Sequence, residues 1–282
     1  MSETSDPNKE HPTISIIMNC LNCSRYLKEA IDSIYQQTYT NWEIVFWDNA
    51  STDHSAEIAR SYDDRLRYFC SENTVPLGHA RNFAIERARG KYIAFLDCDD
   101  RWLPDKLERQ IRIFEDRKDV ALLYSDSYIV DSSGNRMKTA FDSENPERGM
   151  IFNGLLSKYN FIPLLTVLIK KDVLDEVGYF NPDYNVAEEY DLFLRIAHIH
   201  SIDYIDRPLA EYRVHENNLS FSQDIGIREE LEIMDRWLLN DPEIRKELGM
   251  SIKKKKLKRH AVLLLYYLVK YAHLPKSILR FC

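Results

Sequence analysis

The sequence predicts an α/β fold in which helices flank a mostly parallel central sheet, followed by a C-terminal helical extension. Two observations predict it. Short apolar runs alternate with helical patterns through the first hundred residues, and helical patterns dominate after Val214. Strands separated by helices need crossover connections, which make neighbouring strands parallel.

The elements of the first hundred residues follow from apolar spacing. A β-branched run makes 14–18 a strand, and apolar residues recur at helical spacing over 26–35, with Ser24 placed as the cap. Gly90 suits the left-handed position that ends a helix. The other predicted strands are 43–47, 66–69 and 92–96, and the other predicted helices are 55–61 and 79–89.

The pattern changes after residue 100. Pro104 opens a helix, a turn is predicted at 133–135, and Gly178 ends a short helix. No regular period is visible over 137–163, which is predicted to form loops. The other predicted elements are strands 121–124, 128–130 and 164–169, and helices 171–177 and 190–198.

Three carboxylates, Asp97, Asp99 and Asp100, follow the fourth predicted strand. Acids so close together repel one another unless a cation lies among them, and their oxygens favour Mg²⁺, Mn²⁺ or Ca²⁺ over soft metals. A polar turn is the alternative, since Asp is common in turns and at helix N-termini. This segment alone is consistent with both.

Polar residues also follow the first two strands: Asn19 and Asn22 after the first, Asp48 and Asn49 after the second. Ligands of open α/β sheets bind beyond the carboxyl ends of the strands, so these side chains are expected to meet the aspartates there. Neither a G-x-G-x-x-G nor a P-loop motif occurs. A bound nucleotide would therefore need a metal, held by the acids, to neutralise its diphosphate.

The net charge of −7 hides an asymmetry. Residues 250–282 hold nine Lys or Arg and no acid, which leaves 29 basic against 45 acidic residues elsewhere, a net charge of −16. So acidic a body is not expected to attract nucleic acid. Residues 1–11 are polar and lack the pattern of a signal peptide, so a disordered lead-in and a cytoplasmic location are expected.

Five cysteines at irregular spacing predict no disulfide framework. Cys20 and Cys23 form a C-x-x-C pair, but no second pair exists to complete a zinc site. A thioredoxin-like redox role is an alternative, and reduced thiols are the simpler interpretation.

A series of motifs runs in order along 14–220. They are SIIMNCLN at 15–22, AIDSIYQQTY at 30–39, WDNASTD at 47–53, ARN at 80–82, FLDCDD at 95–100, EEYDL at 188–192 and YRVH at 212–215. In this order they resemble the inverting family 2 glycosyltransferases with the GT-A fold, of the non-processive type that builds bacterial surface polysaccharides. The Q-x-x-R-W motif of processive members is absent.

The resemblance implies a donor site with Mn²⁺ or Mg²⁺ as cofactor. Asp48 corresponds to the acid that reads the pyrimidine base, and Arg81 to a basic residue near the nucleotide. Asp97 and Asp99 match the metal-binding acids of the D-x-D motif. Asp97 would face the ribose or a metal-bound water, and Asp99 would ligate the metal that bridges the phosphates.

Three further residues belong to the implied donor site. Asp100 would approach the donor sugar, and Asn22 lies in the first motif. His215 resembles a histidine placed near the diphosphate, with a cap at a strand end as its alternative role.

The resemblance also implies a catalytic base. An inverting transfer needs a carboxylate to take the proton from the acceptor hydroxyl. The family's Glu-Asp reads Glu188-Glu189 here, so Glu189 matches the base with one extra methylene, and Asp191 is the fallback. The usual Asp-Asp pair after the second strand is also changed, to Asp48 and Asn49.

The implied organisation is a GT-A domain over 12–220, with a nucleotide-binding half at 12–100 and an acceptor half at 101–220, then a helical region over 221–282. The implied activity is metal-dependent, inverting transfer of one sugar from a nucleoside diphosphate donor to a hydroxyl of a glycan or lipid-linked acceptor. Two alternatives stay open: a sugar-phosphate nucleotidyltransferase, and a degenerate transferase that only binds nucleotide-sugar or serves as a scaffold.

The basic tail, 251–282, places a cluster of lysines beside nine apolar residues at 261–269. Nine residues are too few to span a bilayer. The combination predicts a helix lying in the interface of an anionic membrane, which would hold the protein on the inner face of the cell membrane. The alternative is a helix that packs its apolar side on the catalytic domain.

Overall fold

The computed structural model describes residues 11–143, 145–216, 218 and 223–271. The predicted disordered lead-in, 1–11, lies outside the described residues except for His11, and so does the end of the basic tail after residue 271.

The described residues form nine strands, nine α-helices and one 3₁₀ turn. The strands are β1 Ile14–Cys20, β2 Trp42–Asp48, β3 Leu66–Cys70, β4 Tyr92–Phe95, β5 Arg101–Trp102, β6 Val120–Val130, β7 Arg136–Thr139, β8 Leu168–Lys170 and β9 Ser201–Arg213. The helices are α1 Ser24–Tyr35, α2 Ser55–Arg60, α3 Leu77–Ile85, α4 Lys106–Asp116, α5 Phe152–Ser157, α6 Lys171–Val177, α7 Glu188–Ile199, α8 Gln223–Asn240 and α9 Pro242–Tyr271, and the 3₁₀ turn is Leu164–Thr166.

All nine strands belong to one sheet with the order β3-β2-β1-β4-β8-β6-β9-β5, and β7 pairs with β6. The first four strands are parallel, as their helical crossovers require. β8 runs antiparallel to β4 and β6, whereas β6 and β9 are parallel. The predicted α/β class with helices around a central sheet is confirmed, and its parallel part is centred on the first hundred residues.

Helices cover both faces of this sheet. One face packs Leu27 of α1 and Leu107 of α4 against it, and the other packs Ala84 of α3, Leu155 of α5 and Leu192 of α7. Successive residues of β1 and β2 alternate between these two cores. Because both faces are buried, the strands are continuous apolar runs rather than alternating patterns.

Two local predictions about caps are wrong. Gly90 does not end α3, which stops at Ile85, and its φ is not positive. A Cβ at Gly90 would lie 2.5 Å from the Ser15 nitrogen, so close approach to β1 is what requires glycine there. Ser24 is the first residue of α1 rather than its cap, and its backbone N–H donates to Asp53 Oδ2 at 2.9 Å.

Other differences lie after residue 100. β6 is one long strand with register shifts around Asp126, where two strands were predicted. The predicted strand 164–169 begins as the 3₁₀ turn, and 137–163 contains α5 and most of β7. β9 was not predicted, because charged residues and Pro208 interrupt its apolar pattern while pairing with β6 stabilises it.

The helical extension is present as α8 and α9. Ile252 of α9 is fully buried, Lys256 and Arg259 form salt bridges with Asp235 and Glu230 of α8, and Lys255 donates to the Tyr190 hydroxyl at 3.1 Å. Part of the basic charge is therefore balanced by the body of the protein. No helix in the described ranges has both the length and the apolarity that crossing a bilayer requires.

Candidate active site

A cavity of about 720 Å³ lies at the carboxyl ends of β1 and β4, on the edge where the sequence predicted a site. Seven of the nine predicted site residues line it, namely Asn22, Arg81, Asp97, Asp99, Asp100, Glu189 and His215. Glu188, which was not a predicted site residue, also lines it. Asp48 and Asp191 do not line it.

Arg81 of α3 ties one wall of the cavity together. Its Nη1 donates to Glu188 Oε1 at 2.5 Å, and its Nη2 donates to Asp97 Oδ1 at 3.2 Å. Arg81 and Glu188 are buried, whereas the Asp97 side chain is 41% exposed to the cavity. Burial raises the pKa of Glu188, and the Arg81 charge opposes that shift. Arg81 thus orients Asp97 through a hydrogen bond from the buried side of the cavity wall.

Asp99 is held by His215, which lies two residues after the end of β9. Its Oδ2 lies 2.8 Å from His215 Nε2, and the His215 ring stacks on Tyr26 with centroids 5.4 Å apart. Burial, with the nearby Asp97 charge, raises the pKa of Asp99, and His215 opposes the shift. His215 therefore contacts Asp99, one of the two acids of the D-x-D sequence, directly.

The Asp97 and Asp99 pair suits a hard divalent cation by its chemistry. Among the described residues, these carboxylates and neighbouring histidines form no group of three ligands that meet within 4.8 Å. Mg²⁺ is commonly bound by one or two carboxylates together with substrate phosphates and water. Two oxygen ligands beside a cavity fit a cation whose coordination is completed by a diphosphate.

Asp100 has a different environment. It is 2% exposed, and its Oδ1 accepts a hydrogen bond from the Arg213 backbone N–H at 2.8 Å. The Arg213 side chain donates to the Asp99 carbonyl and to Glu29 Oε2, each at 2.8 Å. Burial raises the pKa of Asp100 well above its usual range. Arg213 lies in the YRVH motif, but its role in joining β9 to the acids was not anticipated.

Asp48 is buried and does not line the cavity. It is 1% exposed, and its two oxygens accept hydrogen bonds from the Tyr68 hydroxyl at 2.6 Å and the Ser51 N–H at 2.8 Å. Asp48 is thus not exposed to the cavity in this structure, and its role in reading the base stays a prediction. Asn49 does line the cavity, but its side-chain amide bonds the backbone of Val75.

Asn22 shapes the turn between β1 and α1. It adopts φ +56°, and its Oδ1 accepts a hydrogen bond from the Thr52 N–H at 2.8 Å. Its own N–H donates to Ser51 Oγ at 3.0 Å. Asn22 thereby joins the loops after β1 and β2 at the rim of the cavity.

The acids of α7 separate into two environments. Glu189 faces the cavity and accepts a hydrogen bond from Asn160 Nδ2 at 3.2 Å, and burial raises its pKa to about 8. Asp191 is fully buried in ion pairs with Arg195 and Arg236. Two residues of helix turn by about 200°, which points Asp191 away from Glu189. Asp191 is therefore not positioned to serve as the fallback base.

Comparison with known proteins agrees with this geometry. The family described as Glycosyl transferase family 2 matches residues 15–178, more than half of the chain. An uncharacterized glycosyltransferase of Methanocaldococcus jannaschii is 34% identical over 215 residues, covering 73% of this chain and 72% of its own. A longer glycosyltransferase of Rickettsia felis is 32% identical, and the chain spans 34% of its length.

Two solved structures share the fold. TarS 1–349 of S. aureus, in complex with UDP-GlcNAc, superposes with a TM-score of 0.70 at 20% identity and covers 88% of this chain and 72% of its own. The Pyrobaculum calidifontis mannosyltransferase PcManGT, in complex with GDP-Man and Mn²⁺, superposes with a TM-score of 0.64 at 17% identity and covers 96% and 79%. The chain therefore belongs to glycosyl transferase family 2, and it is a glycosyltransferase with the GT-A fold.

Proposed function

We propose that this glycosyltransferase transfers one sugar, with inversion, from a nucleoside diphosphate donor to a hydroxyl of a glycan or lipid-linked acceptor. The observation that carries the proposal is that Asp97, Asp99 and Glu189 line one cavity. The first two offer oxygen ligands near the expected diphosphate, and the third offers a carboxylate for proton transfer.

The donor would bind at the carboxyl ends of β1 and β4. Asp97 and Asp99 would hold Mn²⁺ or Mg²⁺, and the cation would supply positive charge against the departing diphosphate. Arg81 keeps Asp97 oriented through its 3.2 Å hydrogen bond, and His215 does the same for Asp99 at 2.8 Å. Because both acids are fixed before the donor arrives, little ordering cost remains for binding.

Glu189 is the proposed base. It would take the proton from the acceptor hydroxyl while that oxygen bonds to the anomeric carbon and the nucleoside diphosphate leaves from the opposite face. A pKa of about 8, raised chiefly by burial, lies close to physiological pH, where a general base is most effective. The hydrogen bond from Asn160 holds the longer glutamate side chain in one orientation.

We propose that residues 12–100 bind the nucleotide and residues 101–220 bind the acceptor. The proposal rests on the origin of the cavity walls: Arg81, Asp97 and Asp99 come from the first range, and Asn160 and Glu189 from the second.

The test is donor hydrolysis and transfer with a panel of UDP-, GDP- and dTDP-sugars, with Mn²⁺ or with a chelator. We expect metal-dependent turnover of one donor class and, once an acceptor is found, a product whose anomeric configuration by NMR is opposite to the donor's. Binding of a donor without any turnover would favour the degenerate transferase. Retention of configuration would refute the role of Glu189 as a base.

We also propose that the outer face of α9 contacts an anionic membrane. Met250, Leu257 and Leu264 recur every seven residues, so they share one side of the helix, and they are 79%, 73% and 62% exposed. Lys254 and Lys258 are exposed beside them. Exposed apolar residues flanked by lysines match the chemistry of an interface rich in anionic headgroups.

Point variants test this surface better than deletion of the tail, because deletion would also remove the buried Ile252. We expect wild-type protein to sediment with anionic vesicles and not with neutral vesicles, and the Leu257→Ser/Leu264→Ser variant to stay in the supernatant. Leu239→Ser, at an exposed leucine of α8, is the matched control and should behave as wild type. Equal sedimentation of all three proteins would contradict the proposal.

A further inference from the structure

Three cysteine side chains meet at the base of the cavity. The sulfur atoms of Cys20, Cys23 and Cys98 all lie within 4.8 Å of one another. In the part of the chain that the structure describes, no other group of three or more Cys, His, Asp or Glu side chains has its ligand atoms this close together. All three also line the cavity, and none forms a disulfide.

The fold, not the local sequence, brings the three thiols together. Cys20 ends β1 and Cys23 immediately precedes α1, while Cys98 lies between Asp97 and Asp99. β1 pairs in parallel with β4, with Ile17 beside Phe95, and extending that register by three residues places Cys20 beside Cys98. The third thiol that the C-x-x-C pair lacked in sequence is therefore supplied by the loop after β4.

We propose that Cys20, Cys23 and Cys98 form a binding site for a thiophilic divalent cation, represented by Zn²⁺, that is distinct from the carboxylate pair. Tetrahedral zinc at about 2.3 Å from each sulfur places the sulfurs about 3.8 Å apart. Thiols within 4.8 Å reach that arrangement by side-chain adjustments of less than about 1 Å. The two-residue spacing between Cys20 and Cys23 is typical of zinc ligand pairs, and Asn22 between them holds a left-handed turn at φ +56°.

The surroundings of the thiols are consistent with metal entry from the cavity. Cys20 and Cys98 are buried, and Cys23 is half-buried. Cys98 donates its S–H to the Asn19 carbonyl at 3.1 Å, and Cys23 donates to the Leu21 carbonyl at 3.5 Å, so binding would release these protons. The Ser51 hydroxyl donates to Cys20 Sγ at 3.8 Å, a contact that a metal-bound thiolate would keep.

Two neighbouring sites would then have opposite preferences. Sulfur ligands select Zn²⁺ over Mg²⁺ and Mn²⁺, whereas the oxygens of Asp97 and Asp99 prefer the harder ions. With three protein ligands, the fourth position of the thiol site would face the cavity and take water. A cation there would also fix Cys98, and with it the tripeptide that carries both acids.

The experiment uses full-length protein, reduced and stripped of metal, to which ZnCl₂ is added in the presence of excess Mg²⁺. Zinc retained after desalting is measured by mass spectrometry, and Co²⁺ is added in parallel to record thiolate-to-cobalt charge-transfer absorption. We expect about one zinc per chain for wild type and for Cys70→Ala, whose thiol is exposed and outside the cluster. Cys23→Ala should weaken zinc binding by more than about tenfold and lose the cobalt band.

A second measurement needs no variant. Zinc should protect Cys20, Cys23 and Cys98 of the wild-type protein from maleimide labelling, mapped by peptide mass spectrometry, and should leave Cys70 labelled as before. The proposal is overturned if wild type retains no zinc, if Cys23→Ala retains as much as wild type, or if two of the three cysteines are found as a disulfide under reducing purification. Neither measurement uses a donor sugar, so its outcome is separate from that of the transferase proposal.

Discussion

Replacing Arg81 by methionine would remove the cation from a buried pair. The Glu188 side chain is 3% exposed, and its Oε1 lies 2.5 Å from Arg81 Nη1. Its other oxygen, Oε2, is buried and has no hydrogen-bond partner among the described residues. Methionine keeps most of the side-chain volume, so the main consequence of Arg81→Met is an uncompensated buried carboxylate.

The expected cost is about 3–5 kcal/mol of unfolding free energy, the range for breaking a buried ion pair by removing one partner. Asp97 adds little to this figure, because its exposed side chain can be solvated. Removing both charges, in Arg81→Met/Glu188→Leu, should recover most of the loss, since apolar replacement of a buried pair is often close to neutral. Lys28→Ala breaks an exposed pair with Asp32 and should cost less than about 1 kcal/mol.

The assay is equilibrium denaturation by urea, repeated across pH. Without Arg81 the pKa of Glu188 in the folded state rises further above its unfolded value, so the folded state binds a proton more readily. The loss of unfolding free energy in Arg81→Met should therefore be larger at pH 8 than at pH 5. Three results would show that Arg81 does not neutralise a buried Glu188: a loss of unfolding free energy below about 1 kcal/mol, a loss that grows in acid, or a double variant as unstable as the sum of its single variants.

Three further predictions follow from the same contacts. Glu189→Gln should lower the transfer rate by about 10²–10⁴-fold without weakening donor binding. The kcat/KM of the wild-type enzyme should rise with pH through about 8, as the Glu189 carboxyl loses its proton. A flat pH profile would contradict the role of Glu189 as the base. Gly90→Ala should cost about 1–3 kcal/mol in thermal or urea unfolding, because its Cβ would lie 2.5 Å from a backbone nitrogen of β1. A Cβ at Gly249 in α9 would meet nothing within 4 Å, so Gly249→Ala should raise the free energy of unfolding by about 0.5–1 kcal/mol. Equal effects of the two substitutions would be evidence against close packing at Gly90. Asp191→Asn should lower the free energy of unfolding, because it removes the charge that pairs with Arg195 and Arg236. Donor hydrolysis per folded molecule should not change. Loss of hydrolysis in folded protein would restore Asp191 as a candidate base.

Local pattern predicted the first hundred residues well. β2 was expected at 43–47 and is Trp42–Asp48, and β3 was expected at 66–69 and is Leu66–Cys70. β2 is buried along its whole length, so its apolar run over 44–47 is continuous and ends at the polar Asp48. β3 is a partly exposed edge strand, and its aromatic residues indicated it. The positions of Asp97 and Asp99 followed, because the carboxyl ends of parallel strands meet at one edge.

The direction of individual side chains was harder to predict. Asp48 matches a donor-site motif but is buried and accepts hydrogen bonds from Tyr68 and Ser51, which no local pattern predicts. Asp191 could have been excluded from sequence, because two residues of helix place it on the far side from Glu189.

Contacts between distant segments were beyond the sequence. Arg213 reaches Asp99 and Glu29 only because β9 pairs with both β6 and β5, and β9 itself was missed. The thiol cluster has the same origin, since Cys98 joins the C-x-x-C pair through the pairing of β1 with β4. Such sites depend on strand order, which periodicity does not encode.

We propose that Asp97 and Asp99 hold a cation against the diphosphate of the donor. The measurement is calorimetric titration with UDP and with GDP, with and without Mn²⁺, of wild type, Asp99→Asn and Asp116→Asn. Asp116 is an exposed aspartate at the end of α4 and serves as the matched control. We expect Mn²⁺ to tighten binding of one nucleotide by at least about tenfold, or 1.4 kcal/mol, in wild type and Asp116→Asn, and Asp99→Asn to lose this gain. An equal Mn²⁺-dependent gain in folded Asp99→Asn would contradict it.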